Sequence, residues 1–227
     1  MKNIINILKY NGYNSKGFVK SLLGICILFI VMKLIKIPII YSTGIEIAVA
    51  STILGINFII SIVRTSLQLS KEEGRLLFLA PIKGREYIIA KYLEFIINQV
   101  VTGGVVVLAT QFLGAPANIL SISIMSISAI IVGTTTLYVI ITSFIVITAS
   151  YTSSTPICII GTIIATITFI SIGDIITFMI NKFVPYVYLI INDTIEIGIV
   201  SLAVSLLGIL ILIIVSIKHF DNKFEIS

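Results

Sequence analysis

Long apolar blocks separated by short polar stretches set the first expectation for this chain. The blocks run from about Phe18 to Ile37, Ile45 to Val63, Tyr87 to Phe112, Ile119 to Thr148, onward from about Pro156, and from Ile195 to Ile217. Each approaches or exceeds the roughly 20 residues that a helix needs to cross a hydrocarbon layer. The segments IPIIYSTG, LGAPAN and TASYTSST supply turns, and Pro156 suits a first helical turn. The fourth block would reach about 45 Å as one helix, so protrusion or a kink near Gly133 to Thr136 is expected. Between the fifth and sixth blocks, residues 174–194 interleave tyrosines with Asn181, Lys182, Pro185, Asn192 and Asp193, which predicts short interfacial or re-entrant helices. At the amino end, Ile4, Ile5, Leu8 and Val19 alternate with Lys2, Lys9, Lys16 and Lys20. This pattern predicts a helix over 1–17 lying on the membrane surface, not a cleaved signal.

Composition agrees with this pattern. Of the 227 residues, 58% are hydrophobic and 11% charged, and the mean hydropathy is +1.17. Soluble domains carry about 25% charged residues. The expectation is therefore an all-α, polytopic membrane protein with six spans and one domain over 1–227, leaving no room for a soluble domain. The net charge of +5 is a matter of orientation and does not point to nucleic acid. With the amino end inside, 12 of the 15 basic residues fall on the inner side, leaving only Lys33, Lys36 and Lys182 outside. Both ends are expected in the cytoplasm, and the plasma membrane of a bacterial cell is the expected location. Cys26 and Cys158 lie in apolar stretches with no paired spacing and read as small packing residues.

The charged residues concentrate in one segment, 64–86, between the second and third blocks. It holds Lys71, Glu72, Glu73, Arg75, Lys83, Arg85 and Glu86, interrupted by Leu76, Leu77, Phe78 and Leu79. Acidic residues ahead of the leucines suit a helix start, and Pro81 ends the run, so a short amphipathic helix is predicted. Such a helix either rests on lipid headgroups or docks onto a protein. The string KEEGRLLFLAPIKGREYIIAKYL resembles the cytosolic segment of permease subunits of type-2 ATP-binding-cassette exporters, with Glu73, Gly74, Leu77, Pro81, Ile82 and Lys91 at the matching positions. The surface helix, six spans and interfacial segment also resemble that plan.

The resemblance implies that 64–86 is the coupling helix that seats in a separate cytosolic ATPase, which would bind the ATP and Mg. Glu72, Glu73 and Arg75 would set charge complementarity there, and Leu77 and Phe78 would form the apolar anchor. It also implies a dimer with a second copy or a sister permease. Export of an antimicrobial peptide, a drug or a lipid-like compound is the activity expected of such a permease.

No phosphate loop of the form G-x-x-x-x-G-K-[ST] occurs, nor does H-E-x-x-H, and the sole histidine is His219 in the tail. Neither an enzymatic activity nor a metal or cofactor bound by this chain is expected. Ionisable residues inside spans are candidates for function. Glu94, Asn98 and Thr102 share one stripe of the third span, with Gln99 nearby. They form either a path lining or gate, or an interhelical hydrogen-bond cluster in which Glu94 pairs with Lys91. Asp174 is an outer gate residue or an interfacial turn. Asn57 and Arg64 are weaker candidates. Small residues at Ala48, Ser51, Thr52 and Gly55, and at Gly198, Ser201, Ser205 and Gly208, mark packing faces. An ATPase-independent channel or secondary transporter, and a structural partner in a larger membrane assembly, are the competing classes.

Overall fold

A computed structural model describes residues 24, 27, 30, 31, 35, 39–69, 83–112, 117–152, 154–183, 188–191 and 195–224. Its elements are α1 (Ile39–Leu69), α2 (Gly84–Phe112), α3 (Ala117–Tyr151), α4 (Thr155–Asn181), β1 (Tyr188–Ile191), β2 (Ile195–Gly198) and α5 (Ile199–Phe224). All five helices are long and apolar enough to cross a membrane. A helix satisfies its own backbone hydrogen bonds, which hydrocarbon cannot do for it, so these sequences have little alternative there. The chain is a multi-pass membrane protein. Of the expected first span, the described positions Gly24, Ile27, Ile30 and Val31 are helical. The expected surface helix over 1–17 lies outside the described residues.

Several boundaries differ from the sequence expectation. Helix α1 starts at Ile39, inside the expected IPIIYSTG turn, and continues through Arg64 to Leu69. Gly84, Arg85 and Glu86 already belong to α2. Both ends of the expected 64–86 segment are thus helical. Helix α3 runs unbroken through Gly133 to Thr136; at about 52 Å it overruns a hydrocarbon layer of about 30 Å without a break. Thr134 remains compatible with this path because its hydroxyl returns to the Ile130 carbonyl at 2.8 Å.

Helix α4 opens as expected, with Ser154 extended and Pro156 in the first turn, but it carries past Gly173 and Asp174 to Asn181. The expected interfacial or re-entrant helices of 174–194 are therefore replaced by the end of α4 and by a hairpin. In that hairpin β1 pairs antiparallel with β2, Tyr188 opposite Gly198 and Ile191 opposite Ile195. The β-branched and aromatic residues of YLII and IEIG favour that pairing over a helical turn. Among the described residues, the fold is therefore helical with one short two-stranded exception.

The chain divides into two compact units: Met1–Thr65 with Arg85–Tyr138, and Ser66–Gly84 with Val139–Ser227. In the first unit Ala50, Val106 and Ile127 form a buried cluster, joined by Ile53, Val105, Val107, Ala109 and Ile131. Gly103 allows the close approach there, since a β-carbon on it would lie 2.7 Å from the Ile131 Cδ1 and 2.9 Å from the Ile127 Cγ2. In the second unit Gly208 sits beneath the Phe169 ring, which meets Phe144 edge-on with centroids 5.8 Å apart. The Thr148 hydroxyl lies 3.0 Å from that of Thr162 and 3.1 Å from the Cys158 sulfur, which places Cys158 in packing, as expected.

The small-residue stripe of α1 has a different outcome. Ala48, Ser51 and Thr52 are exposed, and nothing lies within 4 Å of a β-carbon on Gly55. The buried side of α1 instead carries Ala50 and Leu54. Ser51 and Thr52 tolerate an apolar surrounding because both hydroxyls donate to the Ala48 carbonyl, at 2.9 and 2.8 Å. In α4, Thr162 is the one buried residue among those described, and Ile157, Ile160, Ile163, Ile164 and Ile167 are exposed. Such a surface suits contact with lipid.

Gly84 holds the second unit's tightest glycine contact. Its N–H donates to the Asp221 carboxylate at 2.6 Å, supplying an acceptor at the head of a helix. A β-carbon there would lie 2.6 Å from the Phe220 ring and 3.0 Å from the Phe220 Cβ. Gly84→Ala is therefore expected to destabilise the protein by about 1–3 kcal/mol, read as a lower melting temperature of the detergent-purified chain. Gly104→Ala, with nothing within 4 Å, leaves melting unchanged or raises it.

Candidate functional site

The polar residues of the first unit gather along one side of α2. Lys91 is buried and donates to the Glu94 Oε2 at 3.0 Å. The other carboxylate oxygen, Oε1, lies 3.8 Å from the guanidinium of Arg64 on α1. Side-chain exposure falls from 35% at Arg64 to 16% at Glu94 and 2% at Lys91. These numbers matter because a buried ammonium without a partner is costly, and the carboxylate offsets that cost only if it stays close. Lys91 and Glu94 meet because they stand three apart on one helix. Arg64 joins them from a neighbouring helix, which no local spacing reveals.

Aromatic rings hold this cluster from one side. Phe95 stacks on Tyr138 of α3 with centroids 4.0 Å apart and planes 10° from parallel. Phe58 meets Phe95 edge-on at 6.2 Å, and Tyr92 meets Tyr138 at 6.4 Å. The Thr65 hydroxyl donates to the Ser61 carbonyl at 2.8 Å, so Tyr138 donates its own proton to Thr65 across 3.0 Å. The Lys91 ammonium also lies 6.0 Å from the centre of the Tyr87 ring. Phe58, Phe95 and Tyr138 thus link α1, α2 and α3 beside the charged group.

A second polar layer lies one to two turns farther along α2. Asn57 donates to the Thr102 hydroxyl at 3.3 Å, and Thr102 donates in turn to the Asn98 carbonyl at 2.8 Å. Gln99 is fully buried and donates to the Leu54 carbonyl at 3.2 Å, while its own Oε1 has no hydrogen-bond partner among the described residues. Along the stripe, Thr102 and Glu94 reach α1 through Asn57 and Arg64, while Asn98 contributes its carbonyl to Thr102 within α2. Asn57, a weak candidate by sequence, takes part in these contacts. Tyr138 and Thr65 were not indicated by sequence at all, since nothing marks one tyrosine in an apolar helix as the partner of a distant threonine.

The remaining candidates are placed differently. Glu72, Glu73, Gly74, Arg75, Leu77, Phe78, Pro81 and Ile82 lie outside the described residues. Asp174 stands exposed inside α4, in place of an interfacial turn, with no ion pair among the described residues. No group of three or more metal-ligating side chains occurs among the described residues.

These observations define a multi-pass helical membrane protein with an internal charged and polar seam. No protein-family model matches the chain, and neither does any curated protein or solved structure.

Removing one partner of the Lys91–Glu94 pair leaves a buried charge alone. Glu94→Gln strands the buried Lys91 charge and is expected to cost about 3 kcal/mol or more, measured by denaturant titration in micelles. Replacing the pair together, as Lys91→Met with Glu94→Leu, should recover most of that loss. A double variant no more stable than Glu94→Gln would contradict the pairing.

Proposed function

We propose that this chain is the transmembrane subunit of an ATP-driven exporter, with six spans and both ends in the cytoplasm. The segment between α1 and α2 would be the seat for a separate cytosolic ATPase. The observation that carries the reading is where the Lys91–Glu94–Arg64 cluster stands. Arg64 and Lys91 lie roughly 8–10 Å from the helix ends that bound the charged segment, at about 1.5 Å per residue. The Arg64–Glu94 ion pair links α1 to α2, so a push on the segment between them reaches both helices. The apolar Leu76 to Leu79 run amid charge supports docking over simple linkage, and the resemblance of KEEGRLLFLAPIKGREYIIAKYL to exporter permeases agrees with it.

In this reading Glu72, Glu73 and Arg75 match charge on the ATPase, and Leu77 and Phe78 fill an apolar groove in it. Glu94 is spent on holding helices and not on lining a path, because two cations claim it. Asn98 and Asp174 remain the candidates facing a path. A second copy or a sister permease completes the assembly, and the cargo is a peptide antibiotic, a drug or a lipid-like compound.

Purifying the tagged chain from its native membrane should bring down an ATPase containing a phosphate-binding loop. Leu77→Asp combined with Phe78→Asp should abolish that recovery while membrane insertion persists. Recovery that survives the double variant would remove the docking role. Absence of any ATPase would favour an ATPase-independent channel or transporter, or a structural membrane partner.

A further inference from the structure

Among the described residues, the ion pairs of the charged seam do not balance. Lys91 and Arg64 bring two positive charges to the single carboxylate of Glu94. Lys91 takes the short contact at 3.0 Å and is buried. Arg64 is left at 3.8 Å, beyond hydrogen-bond distance, and makes no other polar contact among the described residues. A guanidinium has five N–H donors in a planar fork that fits phosphate in a bidentate manner. About a third of this side chain is open, at 35% exposure.

Depth identifies what meets it. Helix α1 spans about 46 Å, some 16 Å more than a hydrocarbon layer of about 30 Å. Shared between its two ends, that excess is roughly 8 Å on each side, and Arg64 stands about 8 Å from the end at Leu69. With the excess shared equally in this way, the guanidinium comes to the boundary where lipid phosphates lie. An apolar, open face of α1 adjoins it, with Ile56, Ile60 and Val63 each about half exposed. Those side chains offer a track for acyl chains leading up to a cation, which a free phosphate ion has no use for.

We propose that Arg64, set beside the Lys91–Glu94 pair, is a binding site for an anionic phospholipid, with the phosphate on the guanidinium and the acyl chains along Ile56, Ile60 and Val63. The lipid supplies a second negative charge beside that of Glu94. A zwitterionic lipid is a poorer ligand, because its amine finds no free carboxylate at Glu94. The site does not depend on what the protein transports.

Native mass spectrometry of the full-length protein in detergent, offered equal phosphatidylglycerol and phosphatidylcholine, tests this. Wild type should retain phosphatidylglycerol by about fivefold over phosphatidylcholine, the factor expected of one cation near the headgroup layer. Arg64→Gln should bring the ratio close to one, and Lys182→Gln, at the far end of α4, should leave it unchanged. Arg64→Lys keeps the charge but loses the fork and should lower the preference about twofold; it carries the test should Arg64→Gln fail to insert. An unchanged preference in the Arg64 variants overturns the proposal, as does an equal loss in Lys182→Gln. Displacement of the lipid by millimolar inorganic phosphate would show a free-anion site and overturn it as well.

Discussion

Charge does not enter hydrocarbon without a partner, and most of this molecule follows from that cost. The chain places nearly all of its ionisable groups outside the apolar blocks and confines the exceptions to a few positions. Where a cation is buried, at Lys91, a carboxylate meets it at 3.0 Å and the Tyr87 ring lies 6.0 Å from it. Hydroxyls face the same constraint in milder form. Ser51, Thr52, Thr65, Thr102 and Thr134 each return a proton to a carbonyl of their own helix, and so can face lipid or packed neighbours.

The same cost explains what the sequence made legible. Apolar blocks locate helices because crossing requires length, and α2, α3 and the start of α4 fall close to where the pattern puts them. The Lys91–Glu94 pair was readable because three residues along a helix bring side chains together. Boundaries were less readable. Arg64 and Asp174 look like the ends of spans, yet both lie within helices, because helices of 31 and 27 residues can run past the apolar zone into polar surroundings. The hairpin between α4 and α5 was missed because tyrosines and polar residues near a headgroup zone fit several local structures equally well. Tertiary partners were least readable: Arg64 with Glu94, Thr65 with Tyr138 and Asn57 with Thr102 join different helices, and no spacing in one chain encodes them. The small stripe on α1 does not pack within the chain, since small side chains permit close packing without requiring it.

The proposed function rests on the placement of charge relative to the membrane. A cluster that ties α1 to α2 lies near the ends that bound the most charged segment of the chain. If that end faces the cytoplasm, the segment is accessible to a nucleotide-driven partner and to the anionic inner leaflet alike. Orientation is therefore what the account rests on. Lys83 is exposed at the head of α2 and serves as a reporter. With Cys26 and Cys158 replaced by alanine, a cysteine substituted for Lys83 can be labelled with a membrane-impermeant maleimide in vesicles of known sidedness. The account predicts labelling in inside-out vesicles and none in right-side-out vesicles; labelling from the outer face would contradict it.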